Sequence, residues 1–247
     1  MFSQLGPVET NVDRAAREMV TAILGGRLSS GGRLPPEREL AETFGINRGT
    51  LRSALHRLGA WGLIQARHGS GHKVLDFRRH AGPAILSVWL SGVTSLEKRE
   101  QVFVDLLEIR RALARVVVAR LNHMPPEKLN SIEETILEFS KAVEEGSDEN
   151  QLAVLDMKVI GSIVDASGSL VFRLFLNPIT EVIESFEGLR KALYRNPAEN
   201  VMAYQELLKA IRSGGSNLGE LVDALLASRD EETLRVWKEN AERGAST

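Results

Sequence analysis

Apolar side chains recur at helical spacing along most of the chain, and one short stretch breaks that rhythm. Val12, Ala16, Met19, Val20, Ile23 and Leu24 mark a first amphipathic helix, closed by Gly25-Gly26. Pro35-Pro36 opens a second helix over 37–44, because proline suits a first turn and acidic residues favour its positive dipole end; Gly45 ends it. Asn47 is placed to cap a third helix whose Leu51, Leu55 and Leu58 fall at i, i+4 and i+7, and Gly62 stops it. The period then shortens. Leu63-Ile64-Gln65-Ala66 and His72-Lys73-Val74-Leu75 read as two strands of a hairpin whose tip, Arg67 to Gly71, is rich in glycine. Residues 76–83 are polar and carry helix breakers, which suits a linker.

From Ala84 onward the pattern returns to successive helices, with expected limits 84–93, 97–122, 126–145, 150–167, 169–194, 198–213 and 217–244. No alternating pattern survives past Leu75, and no internal repeat appears. The expected fold class is therefore mostly α: an N-terminal helix-turn-helix with a hairpin wing over residues 1–78, a linker over 79–83, and an all-α helical bundle over 84–247.

Charge sharpens this division. The 247-residue chain carries a net charge of −2, but residues 1–80 hold 12 Lys and Arg against 7 Asp and Glu, while the remainder holds 19 against 26. A basic head on an acidic body points to a polyanionic partner for the head. There is no cysteine, which removes disulfides, thiolate metal sites and cysteine nucleophiles together. Neither a signal-like N-terminus nor an apolar run of membrane-spanning length is present, so a cytoplasmic protein without membrane attachment is expected.

The chemistry of the head centres on its third helix. A helix-turn-helix inserts its second helix into the major groove, where the N-terminal residues reach base edges. Arg48 and Arg52 lie one turn apart, opposite the Leu51/Leu55/Leu58 stripe, and a guanidinium matches the two acceptors of guanine. Asn47 and Thr50 suit phosphate or base hydrogen bonds, and Gly49 lets the backbone approach DNA. At the wing tip, His68 and Gly69 are suited to the minor groove, with Arg67 and Lys73 beside them. Taken singly, the same residues also suit an ordinary solvated helix and a plain turn.

Arg33-Leu34-Pro35-Pro36-Glu37-Arg38-Glu39-Leu40-Ala41, Asn47-Arg48-Gly49-Thr50-Leu51-Arg52, Gly62-Leu63-Ile64 and His68-Gly69-Ser70-Gly71 together resemble the winged-helix domain of GntR-family regulators. That resemblance implies DNA contacts at Arg38, Arg48, Arg52, His68 and Gly69. The helical body resembles the ligand-binding (FCD-type) domain of the family's FadR branch, through Glu108-Ile109-Arg110-Arg111, Leu155-Asp156, Ala166-Ser167-Gly168-Ser169 and residues 204–211.

Many members of that branch hold a divalent metal with one aspartate and three histidines. Here Asp156 is kept, but Ile160 and Tyr204 stand where two histidines are expected, and the third position falls near Ser228 or Arg229. Four of the five histidines lie in the head or linker, and His123 stands alone in the body, so neither a metal nor any other cofactor is expected. Residues 152–214 look more like the branch's fatty-acid regulators, which implies an acyl-CoA effector. By the same resemblance Thr233 and Trp237 fall at ligand-contact positions, with Arg110, Asp156 and Tyr204 as polar anchors. The residues alone leave two alternatives open: Trp237 as packing core, and Arg110 paired to a structural carboxylate.

The expected function is thus a ligand-responsive homodimeric transcription factor that binds a palindromic double-stranded operator and carries no catalytic site. The alternatives are a regulator of the same class that senses a small carboxylate or sugar acid without metal, and a helical interaction module that does not bind DNA. An enzyme is disfavoured because the body has one histidine, no cysteine and no phosphate-cradling glycine loop.

Overall fold

The computed structural model describes residues 10–67, 71–122, 124–215 and 217–245. The chain forms two compact units, residues 1–94 and 95–247.

In the first unit, α1 (Asn11–Leu24) starts from a capping box in which Thr10 and Asp13 exchange hydrogen bonds. α2 (Glu37–Phe44) ends on Gly45, whose φ of 63° closes the helix in the left-handed conformation. α3 (Arg48–Ala60) starts on Asn47, whose side chain accepts from the Thr50 N–H. The wing is the antiparallel pair β1 (Ile64–Arg67) and β2 (Gly71–Val74), with Ile64 opposite Val74 and Arg67 opposite Gly71. Residues 31–34 run along the far edge of β2, where Gly31 N–H donates to Val74, Val74 N–H to Gly32 and Leu34 N–H to His72. That third segment pairs backbone groups an edge strand would otherwise expose. Leu51, Ala54, Leu55 and Leu58 of α3 interlock with Ala16, Met19, Val20 and Ile23 of α1 in the core.

The unit extends past the expected linker. After α4 (Phe77–His80) and a 3-10 turn (Pro83–Ile85), α5 (Leu86–Ser91) packs back on α1. Ile85 joins the buried core and Val88 and Trp89 pack against it. Spacing of i, i+3 and i+4 puts those three on one stripe, which needs an apolar surface and finds one here. The expected start of the second domain at residue 84 therefore moves to Ser95.

The second unit contains α6 (Leu96–Ala119), α7 (Pro126–Glu144), α8 (Glu149–Ala166), α9 (Leu170–Ser185), α10 (Glu187–Leu193), α11 (Pro197–Arg212) and α12 (Leu218–Ala245). α12 lies along α6, α7 along α8, and α10 against α12. The helix expected over 169–194 is two helices. Phe186 leaves helical geometry (φ −104°, ψ 96°), and its ring packs edge-on against Phe103, centroids 5.5 Å apart. Trp237 meets the same Phe103 ring edge-on at 4.9 Å, so three aromatic side chains join α6, the α9–α10 break and α12.

Gly62 fixes the exit from α3. Its φ is 74°, and a Cβ there would stand 2.1 Å from the His80 carbonyl oxygen. Gly45 has a similar φ but open space around it. Gly62→Ala is expected to cost roughly 2–4 kcal/mol, because a backbone clash adds to left-handed strain, and Gly45→Ala only about 1 kcal/mol. Denaturant midpoints of the two variants check this, and equal losses would contradict the close approach at His80.

Candidate DNA-binding face and effector cavity

The exposed face of α3 carries Arg48, Gly49, Arg52, Ser53 and His56, while Leu51, Leu55 and Leu58 are buried on the other side. The 3.6-residue period imposes this separation. Asn47 lends its Oδ1 to the Thr50 N–H at 2.8 Å, so that oxygen serves the helix cap. Half-buried Thr50 is held by the same bond. A Cβ on Gly49 would press on Asn47 Oδ1 at 3.2 Å, which gives the glycine a role in clearing the cap as well as the surface. Arg38 projects from α2, its side chain 75% exposed, with Glu42 3.6 Å away. His68 and Gly69, expected at the wing tip, lie outside the described residues.

Glu37 is the residue the sequence reading missed. Its carboxylate accepts from Arg52 Nε at 2.8 Å, and His72 Nε2 of the wing stands 3.6 Å from its other oxygen. The Arg52 bond holds the Glu37 carboxyl below its ordinary value of 4.5, so it stays charged near neutrality. The pair's contribution is present above that value and fades only as pH falls through the lowered one. With Nε committed to Glu37, the terminal nitrogens of Arg52 form the edge that fits guanine. Arg33, Arg67 and Lys73 add a basic recess beside the wing.

In the second unit, α6, α8, α9, α11 and α12 line a partly open cavity of about 80 Å³. Twelve of its sixteen lining residues are apolar, among them Val117, Ile160, Phe172 and Leu226; the other four are Arg110, Asp156, Tyr204 and Arg229. Asp156 accepts from Tyr204 at 2.7 Å and from Tyr194 at 2.9 Å. Burial and the Asp156 charge push both phenols well above their ordinary pKa, so both remain donors. Arg110 donates to Asp230, buried with it, and Arg111 stands 3.7 Å from the second Asp230 oxygen. Burial raises the Asp230 pKa against the opposing pull of Arg110, Arg111 and Arg229.

Three of the five expected ligand residues, Arg110, Asp156 and Tyr204, thus meet in one cavity. Thr233 lines a different hollow beside α10 and α11. Trp237 lines neither and lies in the aromatic cluster with Phe103. Tyr194, Asp230 and Asn200 have no sequence signal, Asp230 because it sits in the charge-dense run Ser228 to Glu232, which reads as solvated surface; Arg229 of the same run lines the cavity, where the resemblance put the third histidine position near Ser228 or Arg229.

This donor set does not fit a divalent metal. Both Asp156 oxygens accept from phenols, Ile160 offers only hydrocarbon, and the described residues contain no group of three His, Asp or Glu side chains able to hold an ion. No described helix is long and apolar enough to cross a membrane.

Residues 11–74 match the family described as bacterial regulatory proteins, gntR family, and residues 105–227 match the FCD domain. The HTH-type transcriptional regulator Mce2R of Mycobacterium tuberculosis is 32% identical over 198 residues, 80% of each chain. This chain belongs to the GntR family. The fatty acid metabolism regulator protein of Pectobacterium atrosepticum is 28% identical over 225 residues, covering 90% of this chain and 89% of that one. A solved structure of Lar from Listeria monocytogenes superposes with a TM-score of 0.59 at 15% identity, over 93% of this chain and 99% of that one, which speaks to fold alone. The chain is a GntR-family transcriptional regulator with an FCD domain, and its relatives are named as regulators rather than enzymes.

Arg48→Ala and Arg52→Ala are each expected to weaken specific operator binding by about 1–3 kcal/mol without loss of folding. Glu37→Ala is expected to weaken it less and to relax discrimination at the base Arg52 faces, because an unanchored guanidinium loses its fixed orientation. Titrations against an operator and its single-base variants check both. Unchanged affinity in the two arginine variants would remove α3 as the reading helix.

Proposed function

We propose that this regulator binds a palindromic operator as a homodimer and is released from it by a long-chain fatty acyl-CoA. Arg48 and Arg52 read bases from the major groove, Arg38 and the Asn47-to-Thr50 turn contact the backbone, and His68 and Gly69 approach the minor groove. The observation that carries the effector reading is the cavity wall. It is hydrocarbon over three quarters of its residues, and its ionised groups are largely answered by Asp230, Asn200 and the two phenols. Such a lining rewards an aliphatic chain more than a small anion. The similarity to a fatty acid metabolism regulator over nine-tenths of the chain supports the same class. Leu170, Val171, Leu174 and Phe175, all more than half exposed on α9, form an apolar surface that supports association of two copies.

One observation favours a second reading. Arg110 Nε is buried with no hydrogen-bond partner, and a small carboxylate would supply one. The two readings separate in one experiment, because a ligand releases DNA only through its preference for the DNA-free state. Operator release is titrated with palmitoyl-CoA, free CoA and a panel of small acids. Release by palmitoyl-CoA alone is the expected result, and release by a small acid with palmitoyl-CoA inert would overturn the acyl-CoA assignment.

A further inference from the structure

A second hollow, of about 780 Å³, opens between α10, α11 and α12. Its character is opposite to that of the apolar cavity. Three arginines and three glutamates line it in balance, with Asn196, Asn200, Ser228 and Thr233 between them. Arg195 and Glu232 pair across it at 3.1 Å. Arg229 alone lines both hollows. From α12 its guanidinium donates to Asn200 Oδ1 on α11. Asn200 is 1% exposed, and its Nδ2 has no hydrogen-bond partner. A buried amide donor left without an acceptor costs free energy that a ligand carbonyl recovers.

Volume adds the second constraint. At about 80 Å³ the apolar cavity is smaller than the ~150 Å³ hydrocarbon-lined cavity that accommodates benzene, so a long chain does not fit while the wall stands.

We infer that the Arg229–Asn200 hydrogen bond is a partition that opens to join the two hollows. An amphipathic effector then places its aliphatic chain in the apolar cavity and its polar arm in the charge-balanced groove. The ligand class rests on the acyl-CoA reading above. At the junction, the Asn200 amide and the released Arg229 guanidinium face the ligand's carbonyl. Because the groove's charges cancel, the segment next to that carbonyl is an uncharged, hydrogen-bonding arm rather than a bare phosphate.

The test is the association rate of palmitoyl-CoA, below its micellar range, with the immobilised full-length protein, each variant's fold being checked by circular dichroism. Asn200→Ala and Arg229→Ala remove the bond and are expected to raise the rate by about tenfold, as for loss of one hydrogen bond of about 1.4 kcal/mol. Asn200→Asp makes the bond charge-assisted and is expected to lower the rate severalfold. Opposite responses at one position separate a partition from general loosening, and Asn200→Asp remains informative if an alanine variant fails to fold. Equal rates in wild type, Asn200→Ala and Asn200→Asp would overturn the partition and leave the acyl-CoA reading standing. Absence of palmitoyl-CoA binding in wild type and opened variants alike would overturn both.

Discussion

The second unit is organised around ionised groups placed inside a bundle of helices. A buried charge costs several kcal/mol unless it is paired and hydrogen-bonded, and breaking such a pair by removing one member is more damaging than never having built it. Arg110 of α6 is therefore bound to Asp230 of α12, and Asp156 of α8 to the phenols of Tyr194 and Tyr204. These bonds tie α6 to α12 and α8 to α11, four of the five helices that wall the apolar cavity. The polar groups at the cavity are consequently structural, and a molecule that entered would have to respect their pairing or replace it.

The DNA-binding unit solves a different problem, that of holding flexible side chains in fixed directions at an exposed surface. Backbone geometry does part of this. Gly45 turns the chain between α2 and α3, Asn47 caps α3, and Gly62 lets the segment after the wing pass against the helix end. Glu37 does the rest by holding Arg52 Nε from the preceding helix. An exposed ion pair of this kind adds little to stability, but it orients the guanidinium before DNA arrives.

What the sequence made legible follows from how local each signal is. Helix limits of α1 to α3, the wing and the bundle class are encoded in periodicity and punctuation within a few residues, and the structure follows them closely. The break at Phe186 is not marked locally: the helix breaker in this stretch is Pro178, which α9 runs through, and the break comes eight residues later, where Phe186 packs on a ring 83 positions earlier in the chain. Ile85, Val88 and Trp89 were assigned to the wrong unit because an apolar stripe does not name the surface it covers. Arg110, Asp156 and Tyr204 are reached through resemblance, whereas the partners Asp230 of Arg110 and Tyr194 of Asp156 depend on pairing across 120 and 38 residues, which no local pattern records.

On the acyl-CoA reading proposed above, effector control is a matter of apolar burial behind a polar closure. Entry of an aliphatic chain exchanges water contact for the walls formed by α6, α8, α9, α11 and α12, and burial of apolar surface carries a negative heat-capacity change whatever the balance of enthalpy and entropy at one temperature. Calorimetric titration of the full-length protein with palmitoyl-CoA at several temperatures measures that quantity directly. Saturable binding with a clearly negative heat-capacity change is the predicted result. Saturable binding of a small acid with a heat-capacity change near zero, and no heat from palmitoyl-CoA, would contradict it.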